Sequence, residues 1–312
     1  MDNALRKKVD DLVESEVLWD CALAPYTSFQ IGGPADGLVT VKSSSELTSL
    51  LTLFHQSGTS WFVIGRGTNL LVADEGYAGM VLVLDGDLAA IEKIDSGQKE
   101  VALRAGGGCG LGALVNHSAR AGFGGLEFLA GIPGSVGGAV MMNAGAFGSE
   151  IGDVLQEVTV VTESGTVLVL QREQLQFSYR CWQDAKESGQ RWVVSSVLLA
   201  GRKVEERQVR ARVSELNTLR RQKQPRQPKN CGSFFKNPPG DSAGRLIDSV
   251  GLKGTRIGDA EVSEVHANFI INRGQATASD IIGLMKLIQQ RVKGECGISL
   301  EPEVQMVGSG CR

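Results

Sequence analysis

Glycine sets the terms for this chain. Forty of the 312 residues are glycine, and they gather in loops such as GRGTN at 65–69, GGGCGLG at 106–112 and GIPGSVGG at 131–138. Glycine takes positive φ without steric penalty and lets another backbone or a ligand come to contact distance. A chain punctuated this way must alternate short elements with sharp turns, and some of those turns are open to a ligand.

The elements between the loops follow that pattern. From about residue 20 to 201, β-rich runs recur: GLVTV, WFVIG, MVLVL, EVALRAG and EVTVVTESGTVLVL, whose ESG connection reads as a hairpin turn. Two helices interrupt them, SELTSLLTLFHQSG with Ser45 as its cap, and LGALVNHSARAG. Residues 202–223 read as a strongly charged helix, stopped where Pro225 and Pro228 forbid continuation. Its glutamates at 205, 206 and 215 make most of its charge a solvated face. The expected organisation is an N-terminal surface helix at 1–20 and a glycine-loop domain at 21–201, in subdomains of about 21–84 and 85–201. An α+β domain at 202–312, holding the helix SDIIGLMKLIQQRVKG, completes it.

Composition excludes several function classes. A net charge of −3 lacks the basic excess that phosphate contacts require, so a nucleic-acid partner is not expected. The first 20 residues mix both charge signs and carry no apolar core, so they do not read as a signal peptide, and no run is long and apolar enough to span a bilayer. The cysteines Cys21, Cys109, Cys181, Cys231, Cys296 and Cys311 contain no CxxC pair and meet only three histidines, which argues against a zinc site or disulfide framework. The expectation is a cytosolic, monomeric protein with reduced thiols, no metal and small-molecule partners.

Two kinds of stretch point to chemistry. In the first, Gly108, Gly110 and Ala113 satisfy a loose dinucleotide fingerprint, but no second parallel strand with a ribose-binding carboxylate follows, so a Rossmann unit does not fit. The segment GGLEFLAGIPGSVGGAVMMNAGAFGSEIGD reads instead as an extended loop whose backbone N–H groups, with Gly134, Gly137 and Gly138 admitting close approach, could cradle a diphosphate; tight structural packing is the rival reading. With GRGTNLLVAD at 65–74 and TSFQIGGPA at 27–35, it suggests one long phosphate-bearing cofactor touched at several points. The second stretch is NCGSFFKNP at 230–238, where Ser233 stands between a glycine and two phenylalanines. A buried proton transfer would use those residues, and so would a surface turn.

Taken in order, TSFQIGGPA, GRGTNLLV, GLEFLAGIPGSVGGAVMMNAGAFG, SYR, CGSFFKNP, AGRLIDSVGLKG, HANFIIN and LEPEV closely resemble the UDP-N-acetylenolpyruvoylglucosamine reductase family over nearly the whole chain. The resemblance implies an α+β fold, with a two-subdomain FAD-binding domain of the vanillyl-alcohol-oxidase (PCMH) type and a C-terminal α+β substrate-binding domain. It implies an FAD-dependent oxidoreductase of peptidoglycan synthesis that uses NADPH to reduce the enolpyruvyl sugar nucleotide. Cofactor contacts are implied at Ile64, Gly65, Arg66, Gly67, Thr68, Asn69 and Leu70, and at Ile132, Pro133, Gly134, Ser135, Gly138, Ala139, Asn143 and Ala144.

The implied chemistry delivers hydride to the vinyl carbon C3 and requires a proton at C2, with cationic stabilisation of the enolic charge. Ser233 would be the proton donor, Arg180 would pair with the substrate carboxylate, and Glu303 would act with Arg180 on the enolic intermediate. Glu301 is the rival to Glu303, since two positions apart on a strand share a face. Tyr179, Lys223, Lys236 and Asn237 are implied on the substrate side. One departure stands out: the family often places a serine two residues after the arginine, whereas Cys181 and Trp182 follow Arg180 here. A flavin oxidase on the same scaffold is the alternative enzyme reading, and a flavin-free nucleotide-binding regulator the non-enzymatic one.

Overall fold

The computed structural model describes residues 1–95, 100–225, 227 and 229–308. Pro228 and Cys311, both used above, lie outside the described residues. Two compact units interleave along the chain. Residues Met1–Leu18, Gly37–Gly65 and Gly79–Leu219 form the first; Trp19–Asp36, Arg66–Ala78 and the chain from Arg220 onward form the second.

Strands Pro34–Val41 and Tyr77–Leu84 run from the second unit into the first, where Trp61–Val63 pairs with Tyr77–Leu84 in parallel, in the order Pro34–Val41, Tyr77–Leu84, Trp61–Val63. Helix Ser44–Ser57 buries Leu47, Leu50, Leu51 and Phe54. Its cap is Ser43 rather than the expected Ser45. The Ser43 hydroxyl accepts from Glu46 N at 3.2 Å, while the Glu46 carboxylate accepts the Ser43 N–H at 3.3 Å. Ser43 has extended backbone, which a cap requires, whereas Ser45 is already helical and its hydroxyl meets that of Ser43 at 2.9 Å.

The larger sheet of this unit is antiparallel, in the order Val167–Gln171, Leu155–Thr162, Trp192–Lys203, Glu100–Gly106, Ile91–Asp95. The expected ESG hairpin joins its first two strands. Strand Trp192–Lys203 runs through residues 202 and 203, so the charged helix begins later than expected, at Glu206, and ends at Lys223, two residues before Pro225. Helix Leu111–Ala121 packs on the sheet through Leu111, Leu114 and Val115. The segment expected as an extended loop contains a further helix, Val136–Met141, capped by Ser135, and two-residue strands at Gly145–Ala146 and Ser149–Glu150.

The second unit has its own core. Phe29, Ile31 and Leu71 are buried with Phe234, Phe235, Leu246, Ile281, Leu284 and Val304. Around it stand the antiparallel strands Arg256–Ile257, Ala260–Val262 and Ile270–Asn272, the helices Ala243–Ser249 and Ala278–Cys296, and a parallel pair, Leu70–Val72 with Gln305–Val307. Helix Ala278–Cys296 starts from a Thr277–Asp280 capping box, and the Asp74 carboxylate also accepts from Ala278 N at 2.7 Å and Ser279 N at 3.0 Å. Stretches 19–36 and 66–78, read from sequence as part of a domain ending at 201, therefore pack with the carboxy-terminal residues. Burial of Phe29 and Leu71 among carboxy-terminal side chains is the physical reason, and a cut at residue 202 would strip it away. Among the described residues no helix is long and apolar enough to cross a membrane.

Candidate active site

Strand Trp61–Val63 delivers the loop 64–70, and Ile64 N closes onto Leu82 O at 2.9 Å. Beyond that bond the backbone changes character. The amides of Gly65, Arg66, Gly67 and Asn69 donate to nothing among the described residues, although Gly67 O accepts from Ser28 N at 2.9 Å. A run of unsatisfied N–H groups is the electrostatic complement of a diphosphate. Gly65 is favoured by packing, since a Cβ there would lie well inside contact distance of Ser135 Oγ. That contact brings together, within the first unit, two segments implied to hold the cofactor.

The second implied segment behaves differently. Ile132 N bonds Leu129 O at 3.0 Å, Val136 N bonds Cys109 O at 2.8 Å, and Gly137 N bonds Gly107 O at 2.7 Å. Gly138 N is taken by Ser135 Oγ at 3.3 Å, Ala139 N by Ser135 O at 2.9 Å and Ala144 N by Ala139 O at 2.8 Å. Leu111 N returns a bond to Gly134 O at 3.0 Å. Loops 106–111 and 134–137 are thus zipped backbone to backbone, and the expected cradle of N–H groups at Gly137 and Gly138 is corrected: those donors are already occupied. Only the Gly134 and Ser135 amides of the stretch 134–139 lack an acceptor among the described residues. Asn143 is likewise engaged, donating through Nδ2 to Ser178 O at 3.1 Å and accepting from Gly152 N at 3.2 Å. Within the first unit, the open amides of Gly65, Gly134 and Ser135 would suit an FAD diphosphate.

Asn143 holds one strand of a small hairpin, Phe177–Ser178 with Cys181–Trp182. Tyr179 and Arg180 form its two-residue tip, with Arg180 at φ 57°, a left-handed conformation that costs a non-glycine residue energy. Tyr179 is exposed, and the Arg180 guanidinium lies 5.3 Å from its ring centroid while NH1 donates to Gly145 O at 3.3 Å. Trp182, at the position where the family often has serine, anchors the hairpin: it is buried, stacks on Phe177, meets Trp192 edge-on and donates through Nε1 to Asp184 at 2.9 Å. Aromatic packing thus holds the hairpin at this position.

In the second unit, Gly232 turns with φ 79° and Ser233 follows, half-buried, its hydroxyl without a hydrogen bond among the described residues. Phe234 and Phe235 are fully buried behind it and pack edge to face at 5.2 Å. Glu303 N donates to Phe234 O at 2.8 Å, so the serine and the glutamate stand on adjoining backbone. Residues 301–304, expected as a strand with Glu301 and Glu303 on one face, form only an isolated bridge between Phe235 and Pro302, and the two glutamates differ in exposure. The Glu301 carboxylate is 70% exposed and pairs with Lys236 Nζ at 2.5 Å; Glu303 is half-buried. Burial pushes the neighbouring Cys231 thiol up, and the Glu303 charge adds to that. Asn237 Oδ1 accepts from Ala243 N at 3.0 Å, and Lys223 is exposed in the last turn of its helix.

Asn268 was missed as a site residue. Its backbone O accepts from Phe234 N at 2.7 Å, its Oδ1 from Phe235 N at 2.9 Å, and its Nδ2 donates to Phe235 O at 2.8 Å, so it clamps the peptide beside Ser233. The only signal was Asn268 inside HANFIIN, an amide directly before the apolar run Phe269–Ile271.

Comparison with known proteins gives a consistent picture. Residues 224–307 match the family described as UDP-N-acetylenolpyruvoylglucosamine reductase, C-terminal domain, and residues 35–171 match the FAD binding domain. The chain is similar to the UDP-N-acetylenolpyruvoylglucosamine reductase of Trichlorobacter lovleyi, 45% identical over 302 residues covering 97% of this chain and 96% of that one. It is 39% identical to that of Bacillus licheniformis over 308 residues, 99% of each. The crystal structure of UDP-N-acetylenolpyruvylglucosamine reductase from Thermus caldophilus aligns with a TM-score of 0.78 at 38% identity, covering 95% of this chain and 99% of that one.

Proposed function

Because this chain belongs to the UDP-N-acetylenolpyruvoylglucosamine reductase family and carries its FAD-binding domain, we propose that it converts UDP-N-acetylenolpyruvoylglucosamine to UDP-N-acetylmuramate at the expense of NADPH. Family and domain together make it a flavin-dependent oxidoreductase of peptidoglycan synthesis. FAD, when bound, would supply the hydride chemistry that carries reducing equivalents from NADPH to the vinyl carbon of the substrate. The chain's own residues then manage the charge and the proton.

Ser233 holds the proton destined for C2. A serine hydroxyl is a very weak acid in water, so it serves only against a carbanion-like centre held close in a dry pocket. The buried Phe234 and Phe235 exclude water on one side, and a hydroxyl with no internal acceptor has its proton available. Arg180 is assigned the substrate carboxylate, whose growing charge suits a guanidinium fork. Glu303 is assigned the enolic intermediate in preference to Glu301, whose exposed carboxylate is spent on Lys236. Tyr179, Lys223, Lys236 and Asn237 are assigned to the substrate side.

The observation that most supports this reading is the Glu303 N to Phe234 O bond of 2.8 Å, which sets a carboxyl-bearing residue beside the peptide that follows Ser233. The test is direct. Purified protein should be yellow and should oxidise NADPH in proportion to added enolpyruvyl sugar nucleotide. Oxygen uptake without turnover of the sugar nucleotide would favour the oxidase, and a colourless protein that binds no FAD would favour the regulator.

A further inference from the structure

Asn69 lies at the end of the run of open amides, and its side chain is engaged by the protein itself. Nδ2 donates to Glu303 O at 2.9 Å, and the Asn69 carbonyl accepts from Gln305 N at 3.0 Å. The next residues continue the attachment as the parallel pair Leu70–Val72 with Gln305–Val307. From Glu303 the bonds lead on to Phe234 O at 2.8 Å, and from Phe234 N to Asn268 O at 2.7 Å. Every link lies inside the second unit. A continuous series of backbone attachments therefore joins loop 66–69 to the peptide beside Ser233, and Asn69 is its first member.

We propose that Asn69 is a positioning residue that ties occupancy of loop 65–69 by the cofactor to the placement of Glu303. The inference rests on the reading of that loop as the FAD diphosphate site. Its physical content is linkage. FAD orders the amides of Gly65 to Asn69, and an ordered Asn69 holds the Glu303 carbonyl and the Gln305 amide in one arrangement. By reciprocity, whatever stabilises that arrangement tightens FAD binding by the same factor. One neutral hydrogen bond supports an effect of about five- to tenfold. An enzyme built this way sets its second-step carboxylate only when the flavin is present.

Hydrogen exchange on the enzyme loaded with FAD and on the same enzyme stripped of it tests the coupling without recourse to activity. The amides of helix Ala278–Cys296 serve as the reference for global opening. In the parent, FAD should slow exchange at residues 65–69 and also, by about five- to tenfold, at Glu303 and Gln305. In Asn69→Asp, which keeps the shape of the side chain but removes the donor, the FAD dissociation constant should rise by about the same factor and FAD should no longer slow exchange at Glu303 and Gln305. Asn69→Ala should behave alike. If Asn69 were only structural, both variants would exchange faster at those amides yet respond to FAD as the parent does. Protection of 65–69 with no change at Gln305 in the parent would overturn the coupling and leave the loop reading intact. Absence of FAD protection at 65–69 would remove the loop reading and the coupling with it. The parent comparison decides by itself should neither variant fold.

Discussion

Loops 65–69 and 131–138 are both rich in glycine and both suggestive of a diphosphate, yet their backbones are engaged differently. In the first, four amides have no acceptor among the described residues; in the second, those of Val136, Gly137 and Gly138 are all bonded within the protein. The glycines of 106–108 and 137 let two backbones zip together, whereas Gly65 leaves room for the Ser135 side chain. Glycine content reports only that something comes close. Accounting for each N–H tells whether that something is the protein or a ligand.

The largest effect that would sharpen this contrast is expected at Gly107. A Cβ there would fall well inside contact distance of the Val194 carbonyl, which is backbone and cannot swing aside. Gly107→Ala should cost more than about 3 kcal/mol of stability, read from denaturant midpoints; a variant melting like the parent would show that the zipper is not tight. Next comes the partner to which the open loop is pinned. Glu303→Gln should slow reoxidation of reduced flavin by the sugar nucleotide about 100-fold, while Glu301→Gln, removing an exposed pair, should stay within about twofold. Equal effects would erase the separation between the two carboxylates.

Gly65→Ala should cost roughly 1–2 kcal/mol of stability through collision with Ser135 Oγ. Ser135→Gly, which loses only a few tenths of a kcal/mol as a helix cap, should restore most of it in the double variant. Additive losses would mean that the two segments do not touch as described. The smallest effect lies outside both loops. Glu261 is buried and held by Arg273 and Arg256, with the Arg273 hydrogen bond foremost in keeping its carboxyl below its ordinary 4.5. A depressed folded-state pKa contributes stability that is complete above 4.5 and is lost as pH falls from there through the folded value. Glu261→Gln should therefore flatten the acid limb of a stability-versus-pH curve below about 4.5 and leave both loops' properties unchanged.

Local features were legible in the sequence where neighbours along the chain decide them. Helix Leu111–Ala121 and the hairpin through ESG follow from periodicity and turn chemistry, and the ordered series from TSFQIGGPA to LEPEV carried the family. The cap at Ser43 was misplaced by two residues because three consecutive serines offer the same hydroxyl and only backbone conformation chooses among them. The interleaving of the two units, the zipped loops and the Asn268 clamp were not legible, because each depends on bonds between residues dozens of positions apart. The difference in exposure between Glu301 and Glu303 was not legible either, because a β pattern presumes a regular strand and residues 301–304 form only a single bridge.

Rapid mixing of Ser233→Ala with each substrate in turn tests the central claim most directly, because a proton donor to C2 has work only in the second half of the cycle. The account predicts that NADPH bleaches the flavin at a rate within about twofold of the parent, and that the enolpyruvyl sugar nucleotide restores its colour about 10²- to 10⁴-fold more slowly. Equal slowing of both halves, or undiminished reoxidation, would contradict it.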